Sequence, residues 1–400
     1  MTDPTQNSKL KIQNSKLSVA FDARMVHYRR AGGIGQYTIS LLHALAKSPE
    51  VGPDARFQVL QMRGDSTPIV RDRRFRRVPM WTPPHHRFEH LALGAELLKL
   101  RPRPDLIHCP DFIPPRYRRF PAVANIQDLA FLKFPEMTLL TDESKRYYGQ
   151  VYRAAQDTEA LIAISQSARD DIVSLLGVHP NKVEVIYAAA DSRFKPPDNL
   201  ADAQERAARQ FDLPQPKDGG YLLFVSTIEP RKNLPTLLEA YSLVLNRKRV
   251  SPMPALVIAG REGWLSERVY ARIDELRLRD YVRLVGEAPG SSLVTLYQGA
   301  RAFTLPSIYE GFGLPALEAL ACGVPVLAST GGALPEVVGD AGILLDPHDI
   351  ESWSETLERI LLDEEEATRL RQAGPSQARN FSWERAAAQT WDLYHRVVNS

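Results

Sequence analysis

Cysteine is almost missing from this chain of 400 residues: only Cys109 and Cys322 occur. Two thiols give neither a disulfide framework nor a cysteine-based metal site, and both are read as small buried apolar residues. Long apolar runs are missing too, with nothing near the roughly eighteen residues that a membrane span takes. The polar stretch 1–16 lacks the apolar middle of a secretory signal, so a cytoplasmic protein is expected. No Asp-x-Asp pair and no G-x-x-x-x-G-K-S/T loop is present. Neither a bound divalent metal nor a P-loop nucleotide site is therefore expected. No zinc-finger, helix-turn-helix or RNA-binding signature accompanies the modest net charge of +2, which argues against nucleic acid as a partner.

What is present fits two globular domains. The length exceeds one typical core, since a domain of this kind takes roughly 150–200 residues. Charge is unevenly divided: residues 1–200 carry 29 Lys+Arg against 21 Asp+Glu, and residues 201–400 carry 21 against 27. The basic first half concentrates arginine at Arg71, Arg73, Arg74, Arg76 and Arg77, and again at Arg101, Arg103, Arg116, Arg118 and Arg119. Such clusters draw in anionic headgroups or phosphate-bearing acceptors, although a solvated charged face accounts for them as well. Peripheral contact of this half with the inner face of an anionic membrane is the expectation that follows.

The pentapeptide at 6–10 recurs at 13–17, a polar duplication expected to stay disordered. From residue 17 short apolar runs alternate with amphipathic stretches. Strands are expected at 17–21, 57–62, 106–108, 123–126, 161–164 and 183–187, with helices at 36–47, 91–100, 142–156 and 166–176. Prolines and glycines at 195–198 and 214–220 mark a linker that carries one helix at 201–211. The rhythm restarts with strands at 221–225, 255–259, 282–285, 302–304 and 324–328, and helices at 234–244, 265–276, 292–298, 334–338 and 350–363. Alternation of this kind specifies parallel sheets covered on both faces, here an α/β protein of two doubly wound Rossmann-like domains. The divisions are a tail at 1–16, a first domain at 17–195, a linker at 196–218, a second domain at 219–380, and a helix at 381–400 that packs across both. Ser382 is its expected N-cap.

In such folds ligands sit where strands end. The stretch 306–318 sets two carboxylates, Glu310 and Glu318, around a glycine-broken turn with seven residues between them. Gly311 and Gly313 remove side chains where a ligand must approach the backbone, Pro315 suits a first helical turn, and Glu318 falls one turn into that helix. The N–H groups of Phe312, Gly313 and Leu314 then face an anion at a helix N-terminus, which suits a diphosphate, with the carboxylates reaching sugar hydroxyls on either side. After the strand at 221–225, Arg231 and Lys232 stand where a helix begins. The helix dipole disfavours cations there unless a polyanion intervenes, so the pair is read as neutralising a leaving diphosphate. After the first strand come Gly32, Gly33 and Gly35. The third glycine of a dinucleotide fingerprint is missing, as is its acid, and a plain tight turn is the alternative.

These residues resemble the retaining family-4 glycosyltransferases of the two-Rossmann GT-B architecture, which share the glutamate pair and a nearby Arg/Lys diphosphate site. Phe21, Asp22, Ala23 and Arg24, the glycines at 32–35, the run 125–130, Phe134, Pro135 and Glu136, and Ala163, Ile164 and Ser165 are similar to the branch of GDP-mannose-dependent mannosyltransferases of surface-polysaccharide assembly. The resemblance implies a donor in the interdomain cleft and acceptor binding by the first domain. It implies that Glu310 holds the donor sugar, with Arg231 and Lys232 on the diphosphate as its catalytic partners. Phe312, Gly313 and Leu314 would meet the sugar and phosphate, Glu318 the ribose, and Arg261 and the backbone of Val285 the region of the base. Gly33 and Gly35 would approach from the other domain, and Gln127 and Asp128 would touch sugar or acceptor. Two positions depart from the family pattern: Gln127 stands where many relatives carry histidine, and Thr227 where they carry arginine. Gln127 still hydrogen-bonds but carries no charge, and Arg231 is the expected replacement for the missing cation.

The expected function is retaining, metal-independent transfer of a hexose, foremost mannose from GDP-mannose, to a glycan or lipid-linked glycan, with no cofactor besides the donor substrate. Three readings stay open beside it: a UDP-sugar donor, a catalytically impaired protein that binds sugar nucleotide, and an epimerase or phosphorylase of the same fold.

Overall fold

Alternating apolar and amphipathic stretches resolve into two parallel sheets. The computed structural model describes residues 16–26, 32–86, 88–111, 114–138, 145 and 149–400. The first sheet comprises β1 (Ser18–Asp22), β2 (Arg56–Met62), β3 (Phe75–Met80), β4 (Leu106–Cys109), β5 (Ala122–Ile126), β6 (Ala160–Ala163) and β7 (Val183–Val185), in the order β3-β2-β1-β4-β5-β6-β7. The second comprises β8 (Tyr221–Val225), β9 (Ala255–Ala259), β10 (Val282–Gly286), β11 (Ala302–Leu305), β12 (Val326–Ser329) and β13 (Ile343–Leu345), in the order β10-β9-β8-β11-β12-β13. Strand order reverses between β1 and β4 and between β8 and β11, and crevices open at such switch points. Central strands such as β9 are buried along their whole length, which is why they read as unbroken apolar runs.

Several elements differ from the sequence expectation. Strand β3 coincides with the first arginine cluster. As an edge strand it tolerates exposed Arg76 and the ring of Pro79. Arginines of the cluster stitch that edge: Arg74, just before the strand, bonds Asp72 and the Val51 carbonyl at 2.7 Å, Arg76 the Arg101 carbonyl at 2.6 Å, and Arg77 the Met62 carbonyl at 3.2 Å. The helix expected at 36–47 begins four residues earlier, as Gly32–Lys47, so its glycines form a first helical turn and not a preceding loop. Burial of Gly35, Tyr37 and Leu41 against the first sheet outweighs the low helix propensity of glycine there. The tail at 1–16, Lys16 apart, lies outside the described residues, as does most of 142–150; of the helix expected at 142–156, Val151–Asp157 is described. The second domain adds β13 and a helix, Glu364–Ala378, that carries Pro375 inside it. Next to that proline, Gly374 lies so close to the preceding layer that a Cβ would come 2.8 Å from the Leu320 carbonyl.

The helix Leu200–Phe211, expected in a linker, packs on the second domain. Its Ala207 belongs to that core and fills the space left by Gly299, where a Cβ would approach to 2.6 Å. The last helix, Trp383–Asn399, is capped by Ser382 and returns to the first domain, burying Trp391 and Tyr394 beside Tyr37 and Leu41. Phe312, Leu317 and Val337 of the second domain join that same first-domain core. The two sheets thus meet through side chains from the loop and helix that carry the glutamate pair.

Candidate active site in the interdomain cleft

Adjacent pairing of β8 and β11 places the loops that follow them side by side. The β8 loop turns through Pro230–Lys232, and Asn233 takes a left-handed conformation to start Leu234–Arg247. Asn233 fastens this turn to the β11 loop by donating to the carbonyl of Pro306, at 3.1 Å, and to the segment after β13 by donating to that of Pro347, at 2.6 Å. The Ile308 N–H donates to the Arg231 carbonyl at 2.8 Å. Arg231, Lys232 and Glu310 are brought into one buried cluster by this pairing. Lys232 Nζ reaches both oxygens of Glu310, at 2.7 and 2.9 Å, and the Ser307 hydroxyl adds a third bond at 2.7 Å. Arg231 donates to the Tyr309 carbonyl at 2.7 Å and to Glu229 at 2.9 Å, and its Nη1 stands 3.5 Å from Glu310.

Burial works against the Glu310 charge, but the Lys232 ammonium and the Arg231 guanidinium hold its carboxyl below the usual carboxylate value. Lys232 is itself drawn below the ordinary lysine value, first by burial and then by Arg231. Burial also opposes the charge of Arg231, yet Glu310, Asp128 and Glu229 outweigh it and raise its pKa. The result is a cationic pair with a fixed carboxylate between protein and cleft, built to meet an anion with little reorganisation. Behind it, the turn after β12 props the loop: the Ala333 N–H donates to the Glu310 carbonyl at 2.9 Å, and Gly332, at φ +62°, leaves no space for a Cβ against that carbonyl.

First-domain loops close over this cluster. Gly311 lies directly against Gln127 and Asp128, where a Cβ would come within 2.6 Å of the Gln127 carbonyl and 2.7 Å of Asp128 Cβ. The amide nitrogen of Gln127 is enclosed and has no hydrogen-bond partner among the described residues. Ser165 caps Gln166–Leu176 and also donates to the Gly311 carbonyl at 2.6 Å. Tyr309 donates to Asp171 at 2.7 Å, and Glu336 accepts from the N–H groups of Gln166 and Ser167 at 2.9 and 3.0 Å. Phe312 crosses the cleft to pack on Tyr187 and Phe381. Gly313, at φ +99°, starts the helix Leu314–Ala321, and no side chain caps that helix.

Glu318 lies further along, beside a cavity of about 180 Å³ lined by Gln36, Asp191, Arg193, Ala288, Gly290 and Leu314, among others. The residue keeps some exposed surface, but its carboxyl group is enclosed, and burial pushes its pKa up to about 8 against the opposing bond from the Tyr297 hydroxyl at 3.1 Å. Val285 sits at the end of β10, two residues before the turn that supplies Ala288 and Gly290. Gly33 is exposed, and a Cβ there would meet open space. Gly35 is buried on the helix side. Arg261 stands at Thr227, donating from Nε to its hydroxyl at 3.3 Å, and faces Gly32, whose Cβ would be 3.9 Å from Arg261 Nη2. A guanidinium therefore does occupy the neighbourhood of Thr227, supplied by Arg261, while Arg231 is committed to Glu229, Tyr309 and Glu310.

Sequence reading did not find Ser307, nor Tyr309, Asp171 and Glu336, whose partners lie far along the chain, nor Gln36, Asp191 and Arg193 at the second cavity. Only Ser307 carried a local signal, three residues before Glu310.

Comparison with known proteins covers most of the chain. The family model "Glycosyl transferases group 1" matches residues 205–377, and "Glycosyltransferase Family 4" matches residues 31–194. The O-antigen chain mannosyltransferase B of Escherichia coli is 31% identical over 379 residues, covering 90% of this chain and 95% of that protein. The D-inositol 3-phosphate glycosyltransferase of Salinispora tropica is 34% identical over 252 residues, 60% of this chain and 52% of that protein. Among solved structures, sucrose-phosphate synthase from Thermosynechococcus elongatus superposes with a TM-score of 0.74 at 21% identity, covering 95% of this chain and 98% of that one. WaaG, a glycosyltransferase involved in lipopolysaccharide biosynthesis, gives 0.71 at 16% identity over 94% and 99%. At these identities the structural likeness speaks for the fold alone.

Proposed function

We propose, from the premise that this chain belongs to the group 1 and family 4 glycosyltransferases, that it moves mannose from GDP-mannose to a glycan or lipid-linked glycan with retention of configuration and without metal. The chain is a glycosyltransferase of GT-B architecture. The mannosyl reading is supported by a relative whose name is O-antigen chain mannosyltransferase B and which aligns over nearly the whole chain.

One observation carries the chemistry: Arg231, Lys232 and Glu310 form a single cluster next to Gly311, against which Gln127 and Asp128 of the first domain lie, with the Gln127 amide enclosed and unpartnered among the described residues. In this reading the two cations and the N-terminus of Leu314–Ala321 receive the diphosphate, Glu310 and Gln127 orient sugar hydroxyls, and Glu318 takes the ribose. As the bond from the anomeric carbon to the diphosphate oxygen breaks, negative charge grows where Arg231 and Lys232 already stand. The acceptor oxygen attacks the same face, and its proton passes to the departing phosphate oxygen. No protein nucleophile is needed for that sequence.

Thermal melting with nucleotides tests the donor. A ligand that binds only the native state adds about 2.7 kcal/mol when present at about a hundred times its Kd. GDP is expected to raise Tm more than UDP. A response to UDP alone transfers the reading to a UDP-sugar donor, and donor binding without turnover over a panel of glycans supports an impaired enzyme.

A further inference from the structure

The helix Glu89–Leu97 of the first domain is apolar on two opposite faces. Leu93 and Leu97 point into the core, while Leu91 is 58% and Leu98 50% exposed. Two aromatic side chains flank that outer face. Trp81, 68% exposed, is fixed by its backbone N–H on Glu96 at 2.9 Å, and Tyr117, 59% exposed, abuts the helix at Gly94, where a Cβ would touch the Tyr117 carbonyl at 2.7 Å. A water-facing helix normally turns its acids outward, and this one does not. Glu89 is buried on Arg24 at 2.6 Å, and Glu96 is spent on Trp81 and Thr82.

Charge around the patch is mostly positive. Residues 81–120 contain seven Lys+Arg and four Asp+Glu. Besides Glu89 and Glu96, the acids are Asp105, which accepts from the Ser18 N–H at 2.7 Å, and Asp111, which pairs with His85 at 2.8 Å. Lys99, Arg101, Arg103, Arg116 and Arg119 are exposed, and Arg63 lies 3.9 Å above the Trp81 ring. Exposed leucine and aromatic side chains rimmed by cations complement the interface of a bilayer, where apolar groups enter the acyl boundary and arginines meet phosphate headgroups. A second copy would set one cationic rim against another, which like-charge repulsion opposes. No helix among the described residues is long and apolar enough to cross a membrane, so the contact is one of docking.

We propose that this face, formed by Leu91, Leu98, Trp81 and Tyr117 within their arginine rim, seats the protein on an anionic lipid bilayer. The arginines tied into the edge of β3 are not its core; the outer face of Glu89–Leu97 is. The helix starts at the carboxyl ends of the first sheet, where Glu89 meets Arg24 just after β1, so the bilayer would lie beside the mouth of the cleft.

Flotation of the full chain with vesicles of equimolar phosphatidylcholine and phosphatidylglycerol, and with pure phosphatidylcholine, tests this. Binding to the anionic vesicles alone is expected, weakening as salt rises. Joint Leu91→Glu and Leu98→Glu should reduce it by about tenfold or more. Leu362→Glu, at an equally exposed leucine of the second domain, should leave it intact. Trp81→Ser keeps the backbone bond to Glu96 and should also weaken binding, which guards against misfolding of the double variant. Absence of binding, or equal binding by both patch variants, overturns the proposal. So does a dimer in sedimentation equilibrium that the double variant dissociates. Lipid binding is read without turnover, so its failure leaves the donor reading untouched.

Discussion

Lys232 and Glu310 form a closed ion pair in which one ammonium meets both carboxylate oxygens, at 2.7 and 2.9 Å, with each side chain 8% exposed. Their loops follow neighbouring strands of the second sheet, so the fold itself fixes the distance. Removing one partner strands the other in a water-poor site, which typically costs about 3–5 kcal/mol. Lys232→Met is therefore expected to lower the urea midpoint strongly, and joint Lys232→Met and Glu310→Leu to recover much of the loss. Additive losses in that double-mutant cycle would show that the pair is not coupled.

Glu318 gives a pH signature. Its folded pKa, raised by burial to about 8, lies above the unfolded value, so the native state holds a proton that the unfolded chain releases. That contribution is fully present below the unfolded carboxylate pKa and is lost as pH rises through about 8, with a slope of at most about 1.4 kcal/mol per pH unit. Glu318→Gln should flatten stability between pH 5 and 8, on the order of that slope. Denaturant titrations over this range check it, and an unchanged slope would refute the assignment.

Two glycines should respond to the same substitution in opposite ways. Gly33 lies in a helix with open space at its Cβ position, so Gly33→Ala should gain about 0.5–1 kcal/mol in stability while weakening donor binding. At Gly311 a Cβ would strike Gln127 and Asp128 across the cleft. Gly311→Ala should hold the domains apart, raising the radius of gyration in solution scattering and lowering turnover. Identical scattering curves for Gly311→Ala and wild type would contradict this.

Gln127 carries an enclosed donor with no partner among the described residues. Gln127→Leu removes that unsatisfied group, so stability should hold or rise by about 1 kcal/mol, while turnover falls about tenfold for one lost hydrogen bond to substrate. Equal turnover would place Gln127 outside the site.

Much of this was legible in local pattern. Buried strands such as β8 and β9, and the helices Gln166–Leu176 and Leu334–Val338, fall where apolar period and turn residues put them. Strand β3 was hidden because an edge strand can carry arginines and a proline. Glu364–Ala378 was hidden because Gly374 and Pro375 are poor helix residues, although the helix packs on Leu320. The glycines at 32–35 read as a loop because propensity does not register a neighbouring sheet. Arg231, Lys232 and Glu310 were legible as residue types at strand ends. The contacts of the two cations with Glu310 were not, nor were Tyr309 on Asp171 and Glu336 on Gln166, because pairs separated by 78 positions or more leave no local trace.

In the proposed reaction Lys232 and its neighbours, with no metal ion, neutralise the diphosphate of a sugar nucleotide. Release of GDP from GDP-mannose in the presence of a glycan acceptor and EDTA tests it most directly, comparing wild type with Lys232→Met. Wild-type turnover is expected to persist in EDTA, with a fall on the order of a hundredfold or more in the variant. Loss of wild-type turnover in EDTA, or full activity in Lys232→Met, would contradict it.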